Sequence, residues 1–332
     1  MPKNRLLTFL TATVCCILGA QTPSAAITIE QALQESVAHN LDIAAARYDI
    51  SIAEARQITA ALRPNPVASV SADHLDILGT GYNSINNAGP NEYAVRTDFI
   101  LERGGKRTAR MDLAASGKSL AELRFRDAIR RLVLDVQTAY VDVQLAKERL
   151  LLARENLRGL NAIVAINVDR VRTGDLAAVE LERSRLAAMQ YETAVQQAGL
   201  QLREAGIRLQ LLLGRTGLAE EFDVVGPIRR DAGRVAIEDI RSRAHAERPD
   251  LLEIRQTQVR NQADVRLQLA QGKIDYSTGV EYRRQQGING MGNSVGVFVS
   301  VPLPVFNRNQ GEVARAQREL TQAAAQLRAL EA

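Results

Sequence analysis

An internal repeat constrains the fold of these 332 residues more than any single motif does. Residues 28–74 align without a gap on 236–282, an offset of 208 (237 − 29). Ile29-Glu30 falls on Ile237-Glu238, Ala38 on Ala246, Asp42 on Asp250, Arg47 on Arg255, Ala55 on Ala263 and Ser69 on Ser277. After a shorter second loop the offset becomes 205, so Arg103 meets Arg308 and Ala109-Arg110 meets Ala314-Arg315. Identity is low, and the shared order of elements is the stronger evidence. Each copy reads helix, strand, loop, strand, long helix. The first copy adds a second long helix to about Leu213, whereas the second stops at Ala332, equivalent to 127 (332 − 205). The expected organisation is 1–26 as a signal peptide, 27–217 as the first repeat and 218–332 as a second repeat truncated at its C-terminus.

The long helices carry heptads. Leu132, Val136, Ala139, Val143, Ala146, Leu150, Ala153, Leu157 and Leu160 alternate in steps of four and three. So do Leu181, Ser184, Ala188, Tyr191, Val195, Ala198, Leu202, Ala205, Leu209 and Leu212. Repeats of this length predict antiparallel coiled-coil packing, with the alanines allowing close approach. A helix over Lys106–Leu157 would be about 75 Å long, too long for a compact domain. Val313, Ala316, Leu320, Ala323, Leu327 and Leu330 begin the same pattern again.

Four short strands alternate in polarity. Tyr276, Thr278, Val280 and Tyr282 share one face, with Ser277, Gly279, Glu281 and Arg283 on the other. Tyr93, Val95, Thr97, Phe99 and Leu101 alternate with Ala94, Arg96 and Asp98; Val295, Val297, Val299 and Val301 form a fourth apolar row, and Ala68, Val70 and Ala72 a first. Strands of about ten residues, apolar outside and polar inside, suit a membrane β-barrel with a wet lumen. Gly79–Asn91 and Gly287–Asn293 read as its exposed loops. Four strands cannot close a barrel or hide their edges, so several copies must share one.

Lys3 and Arg5, the apolar run Leu6–Ala20 and the small residues Ser24-Ala25-Ala26 predict a signal peptide cleaved before Ile27. Removing it lowers the formal charge from +4 to +2 (4 − 2), a balance of many charges without a basic, aromatic-interleaved tract, which argues against nucleic-acid binding. Both cysteines, Cys15 and Cys16, lie in the apolar run, so the mature chain offers no disulfide or thiolate. Ala12-Thr13-Val14 before them lacks the Leu and the small residue next to Cys that bacterial lipoprotein signals normally show. No later stretch of 18 apolar residues supplies a spanning helix, so any insertion must use strands.

At this point the chain resembles the TolC-type outer-membrane efflux family along its whole mature length, Ile27 to Ala332. The marks are Ile29-Glu30-Gln31-Ala32-Leu33, Asn40-Leu41-Asp42, Arg63-Pro64-Asn65-Pro66, Leu211-Leu212-Leu213-Gly214 and the duplication itself. Glu102-Arg103-Gly104-Gly105-Lys106-Arg107 and Val301-Pro302-Leu303-Pro304-Val305-Phe306-Asn307-Arg308-Asn309-Gln310-Gly311 resemble its CzcC-like heavy-metal branch. The resemblance implies a mostly α, α+β fold: coiled-coil helices forming a periplasmic α-barrel under a shared trimeric outer-membrane β-barrel. It implies a passive exit duct in the outer membrane, with a periplasmic adaptor and an inner-membrane pump of the resistance-nodulation-division type as partners. Heavy-metal cations are the expected cargo; drug export or type I secretion by the same fold, and a periplasmic adaptor, are the alternatives. With one long helix pair per chain outside these residues, the 332-residue chain is expected not to form a stable trimer.

Two local readings complete the expectations. Pro302 and Pro304 end the fourth strand, Asn309 with Glu312 starts the next helix as a capping box, and Gly104-Gly105 turns the chain after the second strand. Val171 to Leu176 breaks the helical pattern at Gly174, and by resemblance Arg172, Thr173, Gly174, Asp175 and Leu176 form a periplasmic tip that meets the adaptor. No catalytic, cofactor or metal site emerges. His39, His74 and His245 are scattered, and Gly117-Lys118-Ser119 lacks the first glycine of a phosphate loop, with Asp112 in its place.

Overall fold

The computed structural model describes residues 26–75, 77, 79, 91–218, 222–228, 236–287 and 290–331. The signal-peptide expectation and most of the Gly79–Asn91 loop lie outside them. In chain order the elements are α1 (Ile29–His39), α2 (Leu41–Ala61), β1 (Val67–Asp73), β2 (Glu92–Leu101), α3 (Lys106–Thr173), α4 (Ala178–Leu212), α5 (Ile237–Glu247), α6 (Pro249–Gln271), β3 (Tyr276–Gly287), β4 (Gly290–Ser300) and α7 (Gln310–Glu331). The single helix expected at the head of each copy is two. It breaks at Asn40 and again at Arg248, 208 residues on (248 − 40), where ψ turns to 126° and 118° and the helical ladder ends. Helix α3 continues past Leu157 to Thr173.

The chain folds as two compact units, Met1–Asn40 with Val133–Asp231, and Leu41–Leu132 with Ala232–Ala332. In the first unit α1 opens with the capping box of Thr28 and Gln31, which satisfies two orphan N–H groups. Its buried Ala32 and Ser36 pack inward, and the Asn40 amide donates to the Leu212 carbonyl at 3.1 Å. Gly214, at φ +78°, presses so closely on His39 that a Cβ would lie 2.2 Å from its carbonyl oxygen. Ile27 bridges Val224 in parallel register. The Tyr140 hydroxyl lies 3.0 Å from the Ile27 carbonyl and also contacts that of Val225. Gln144 and Lys147, on the same helical face, hold Gly226 and Asp223. Burial pushes the Tyr140 phenol above its ordinary pKa.

The heptad positions Leu132, Val136, Ala139, Val143, Ala146 and Leu150 of α3 are all buried, as are Leu181, Ala188, Ala198 and Leu209 of α4. Each fully buried leucine or valine contributes about 1.5–3 kcal/mol. Tyr191 departs from the pattern and stays exposed.

In the second unit the four strands form one antiparallel sheet in the order β1-β2-β3-β4. The register puts Val95 between Val70 and Tyr282, and Val297 beside Val280. Gly290–Asn293, expected as loop, are strand residues paired with 284–287, so the turn is shorter than the glycine content suggested. Below the sheet α6 and α7 pack antiparallel, with Ala263 of α6 and Ala316 and Ala323 of α7 buried. Asn261 donates to the Glu319 carbonyl at 3.1 Å and Arg315 meets Asp264 at 3.1 Å. Ala109, Leu113, Leu267 and Ala270 make a further apolar cluster.

Candidate functional site: a two-faced sheet and a helical tip

The alternation of the strands gives the sheet two chemically opposite faces. On one, Val70, Val95, Phe99, Val280, Val295, Val297 and Val299 stand exposed, Val295 to Val299 by more than 70% each. Tyr93 and Tyr282 mark the end of this face nearer the loops, and Tyr276 and Phe99 the end nearer the helices. Aromatics bracketing a valine-rich band are the pattern of a lipid-facing barrel wall.

The other face is ionic. The Arg96 guanidinium grips Asp98 through two hydrogen bonds of 2.9 and 2.7 Å and lies 4.3 Å over the Phe298 ring. Arg283 joins Glu281 at 2.9 Å and Glu92 at 3.3 Å. Two glycines make room for this layer. A Cβ on Gly279 would sit 2.2 Å from the Asp98 carboxylate, and one on Gly296 would sit 3.0 Å from the Phe298 ring. Both side chains therefore lie flat against the backbone. The sequence showed the parity of these residues; their pairing depends on register, which the alternation alone did not reveal.

Where strands become helices, two junctions are built differently. After β2, Gly104 and Gly105 adopt φ of +75° and +72°, as the turn requires. The Arg103 N–H and the Lys106 ammonium hold the two Asp275 carboxylate oxygens at 2.9 and 2.7 Å. Burial raises the Asp275 pKa, but Lys106 and the Arg103 N–H outweigh it and leave the group below its ordinary value. Arg110 forks onto Glu102, depressing that carboxyl too, and also donates to the Leu62 carbonyl. After β4, Pro302 and Pro304 end the strand as expected, but the capping box does not form. Asn309 takes φ +65° and turns its amide to Gln268 at the end of α6, 2.8 Å from the carbonyl, while Glu312 pairs with Arg315.

The tip residues fall where α3 ends and α4 has yet to begin. Val171, Arg172 and Thr173 are the last helical residues; Gly174, at φ +85°, lets the Asp175 N–H reach the Arg170 carbonyl at 2.9 Å, a left-handed helix stop. Thr173 donates 2.8 Å to Asp175, and Arg172 pairs with Asp169. Arg172, Thr173, Gly174 and Asp175 are exposed, and Leu176 is half-buried. The three histidines lie in α1, after β1 and in α5, and no cluster of three or more metal-ligating side chains occurs among the described residues. No helix there is long and apolar enough to cross a membrane.

A family model described as outer membrane efflux protein matches residues 28–215. The chain belongs to the outer membrane efflux protein family. It is a family of channels, not enzymes; the efflux protein resides in the outer membrane with its helices extending into the periplasm. It is 24% identical over 303 residues to the cobalt-zinc-cadmium resistance protein CzcC of Cupriavidus metallidurans, covering 90% of this chain and 68% of CzcC. It is 25% identical over 318 residues to the nickel-cobalt-cadmium resistance protein NccC of Alcaligenes xylosoxydans xylosoxydans, covering 94% and 68%. The CmeC outer membrane channel of Campylobacter jejuni shares the fold at a TM-score of 0.71 and 14% identity, covering 98% of the efflux protein and 76% of CmeC.

Proposed function

We propose that this efflux protein is the exit duct of a tripartite heavy-metal export system. The observation that carries the reading is the sheet, with valines outward and paired charges inward. Asp73, Glu92, Asp98 and Glu281 against Arg96 and Arg283 leave the inner face with two net negative charges per copy (4 − 2), a lining that favours cations. The names of CzcC and NccC supply the metals: cobalt, cadmium, zinc and nickel. A drug or secretion channel would use the same wall, and the family assignment favours a channel over an adaptor.

Three copies sharing one barrel explain why β1 and β4 keep open edges. A second row on α4, Val179, Leu186, Leu200 and Ile207, recurs in heptad steps and is exposed, as a contact surface between copies would be. The repeats 27–217 and 218–332 are two copies of one unit, since α1 and α5 keep the 208-residue offset at both ends (237 − 29 and 247 − 39). The signal peptide is residues 1–26. The exposed tip, Arg172 to Leu176, docks a periplasmic adaptor, which in turn meets an inner-membrane pump of the resistance-nodulation-division type.

Expression beside a metal-type pump and adaptor, in cells lacking their own channel, tests the cargo. Cellular zinc, cobalt and cadmium should fall; drug resistance without metal resistance would favour the second reading. The 332 residues alone are expected not to yield a heat-resistant trimer in membrane extracts, and recovery of one would overturn that expectation. Gly174→Ala should weaken capture of the adaptor in crosslinking without changing the amount of channel in the membrane.

A further inference from the structure

The apolar row of β4 does not stop with the strand. Val295, Val297 and Val299 are followed at the same parity by Val301, Leu303 and Val305, and then by Phe306. Leu303 is 80% and Phe306 90% exposed, values that large apolar side chains rarely keep in water. In the first copy the corresponding row ends at Leu101, and the chain turns at once into Glu102 and Arg103.

The backbone of this segment leaves few polar groups for water to serve. Pro302 and Pro304 have no N–H to satisfy. The Leu303 carbonyl accepts from the Val305 N–H at 2.8 Å, the Pro304 carbonyl from Arg308 at 3.1 Å, and the Phe306 carbonyl from Gln310 at 3.0 Å. Three carbonyls and one N–H bonded from within, two positions without an N–H and apolar side chains turned outward suit the boundary between lipid and water. Asn309, bonded to the end of α6, fixes the segment to the helices. Around it, Arg103, Arg107 and Arg308 are exposed and have no carboxylate partner among the described residues, a charge that matches headgroup phosphates. Arg103 stacks 4.6 Å over Tyr276, whose neighbour Ser277 pairs with Ser300 at the end of β4.

We propose that residues 301–306 are an interfacial anchor, seated at the boundary of headgroups and acyl chains in the periplasmic leaflet of the outer membrane. Leu303 and Phe306 insert, and the arginines hold the phosphates. The inference rests on the channel reading, which makes the valine face of the sheet the lipid-facing one. It adds a contact beyond the barrel, confined to the second copy, which fixes how deep the sheet sits.

The chain contains no tryptophan, so one introduced residue reports alone. Phe306→Trp and, separately, Val297→Trp are reconstituted in phosphatidylcholine–phosphatidylglycerol vesicles carrying lipids brominated either high or low on the acyl chain. Trp at 306 should emit to the blue and lose roughly half its intensity to the shallow bromines, and less to the deep ones, as interfacial residues do. Trp at 297 should respond to the deep bromines. Blue emission at 306 without bromine quenching means that a second copy covers the segment and overturns the anchor. Emission at 306 that acrylamide quenches freely means water, and overturns it as well. If 297 also ignores the bromines, the sheet is not in lipid, and the channel reading falls with the proposal.

Discussion

Helices α1 and α5 have equal length and start 208 residues apart (237 − 29), as the proposed duplication requires, yet they are anchored unequally. Helix α1 has a capping box, two fully buried residues and Gly214 pressed against its C-terminal carbonyl. Helix α5 has Ala236 where α1 has Thr28, no side-chain cap and no buried residue; Ile237 is 80% exposed. Local sequence thus makes a helix twice, and tertiary packing buries it once, while α5 is held at its His245 carbonyl by Arg255. The junctions differ in the same spirit. The first is closed by carboxylates, the second by amides, carbonyls and prolines.

The largest test of this contrast is Gly214→Ala. A left-handed φ and a 2.2 Å contact with the His39 carbonyl should together cost α1 about 3 kcal/mol of local stability. Hydrogen exchange should show residues 29–39 losing protection while 237–247 do not change. Retained protection in α1 would break the comparison. Next comes Glu102→Gln, which leaves Arg110 without its charge partner and should cost about 2 kcal/mol at the first junction.

Acid should do the same without mutation. Glu102 and Asp275 have depressed pKa values in the folded protein, so their stabilisation is complete above the unfolded carboxylate value of about 4 and is lost as pH falls below it. Melting of the first junction before the Pro302–Asn309 turn, followed by exchange against pH, checks the sign. Smaller still, Thr28→Ala should destabilise α1 by about 1 kcal/mol in urea unfolding. The reverse change, Ala236→Thr, should add roughly 0.5 kcal/mol to α5. No response of either helix to these last two changes would mean that partners, not caps, make the whole difference.

Much of this was legible in the residues. The heptads placed the buried face of α3 and α4 correctly, because a coiled coil is a local period repeated. Strand parity separated the valine face from the charged one. The breaks at Asn40 and Arg248 were missed, since a single residue leaving the helical region leaves no trace in the apolar pattern. Asn309 was misread for a related reason: Asn preceding Glu by three is a cap signal, but the amide found a better acceptor on Gln268, a partner only the fold supplies. The layer of Arg96, Asp98 and Phe298 needed the register, and parity alone did not show the room that Gly279 and Gly296 leave for it.

The ladders of the sheet are unequal. Strands β3 and β4 run 12 and 11 residues, whereas β1 runs only 7. When β4 of one copy closes against β1 of the next, the seam can be no longer than its shorter side. Each seam is therefore weaker than the β3–β4 hairpin inside a copy, so force or heat should part the copies from one another before it unravels any of them. Damage to such a barrel begins as disassembly, and parted copies with intact sheets remain able to find each other again.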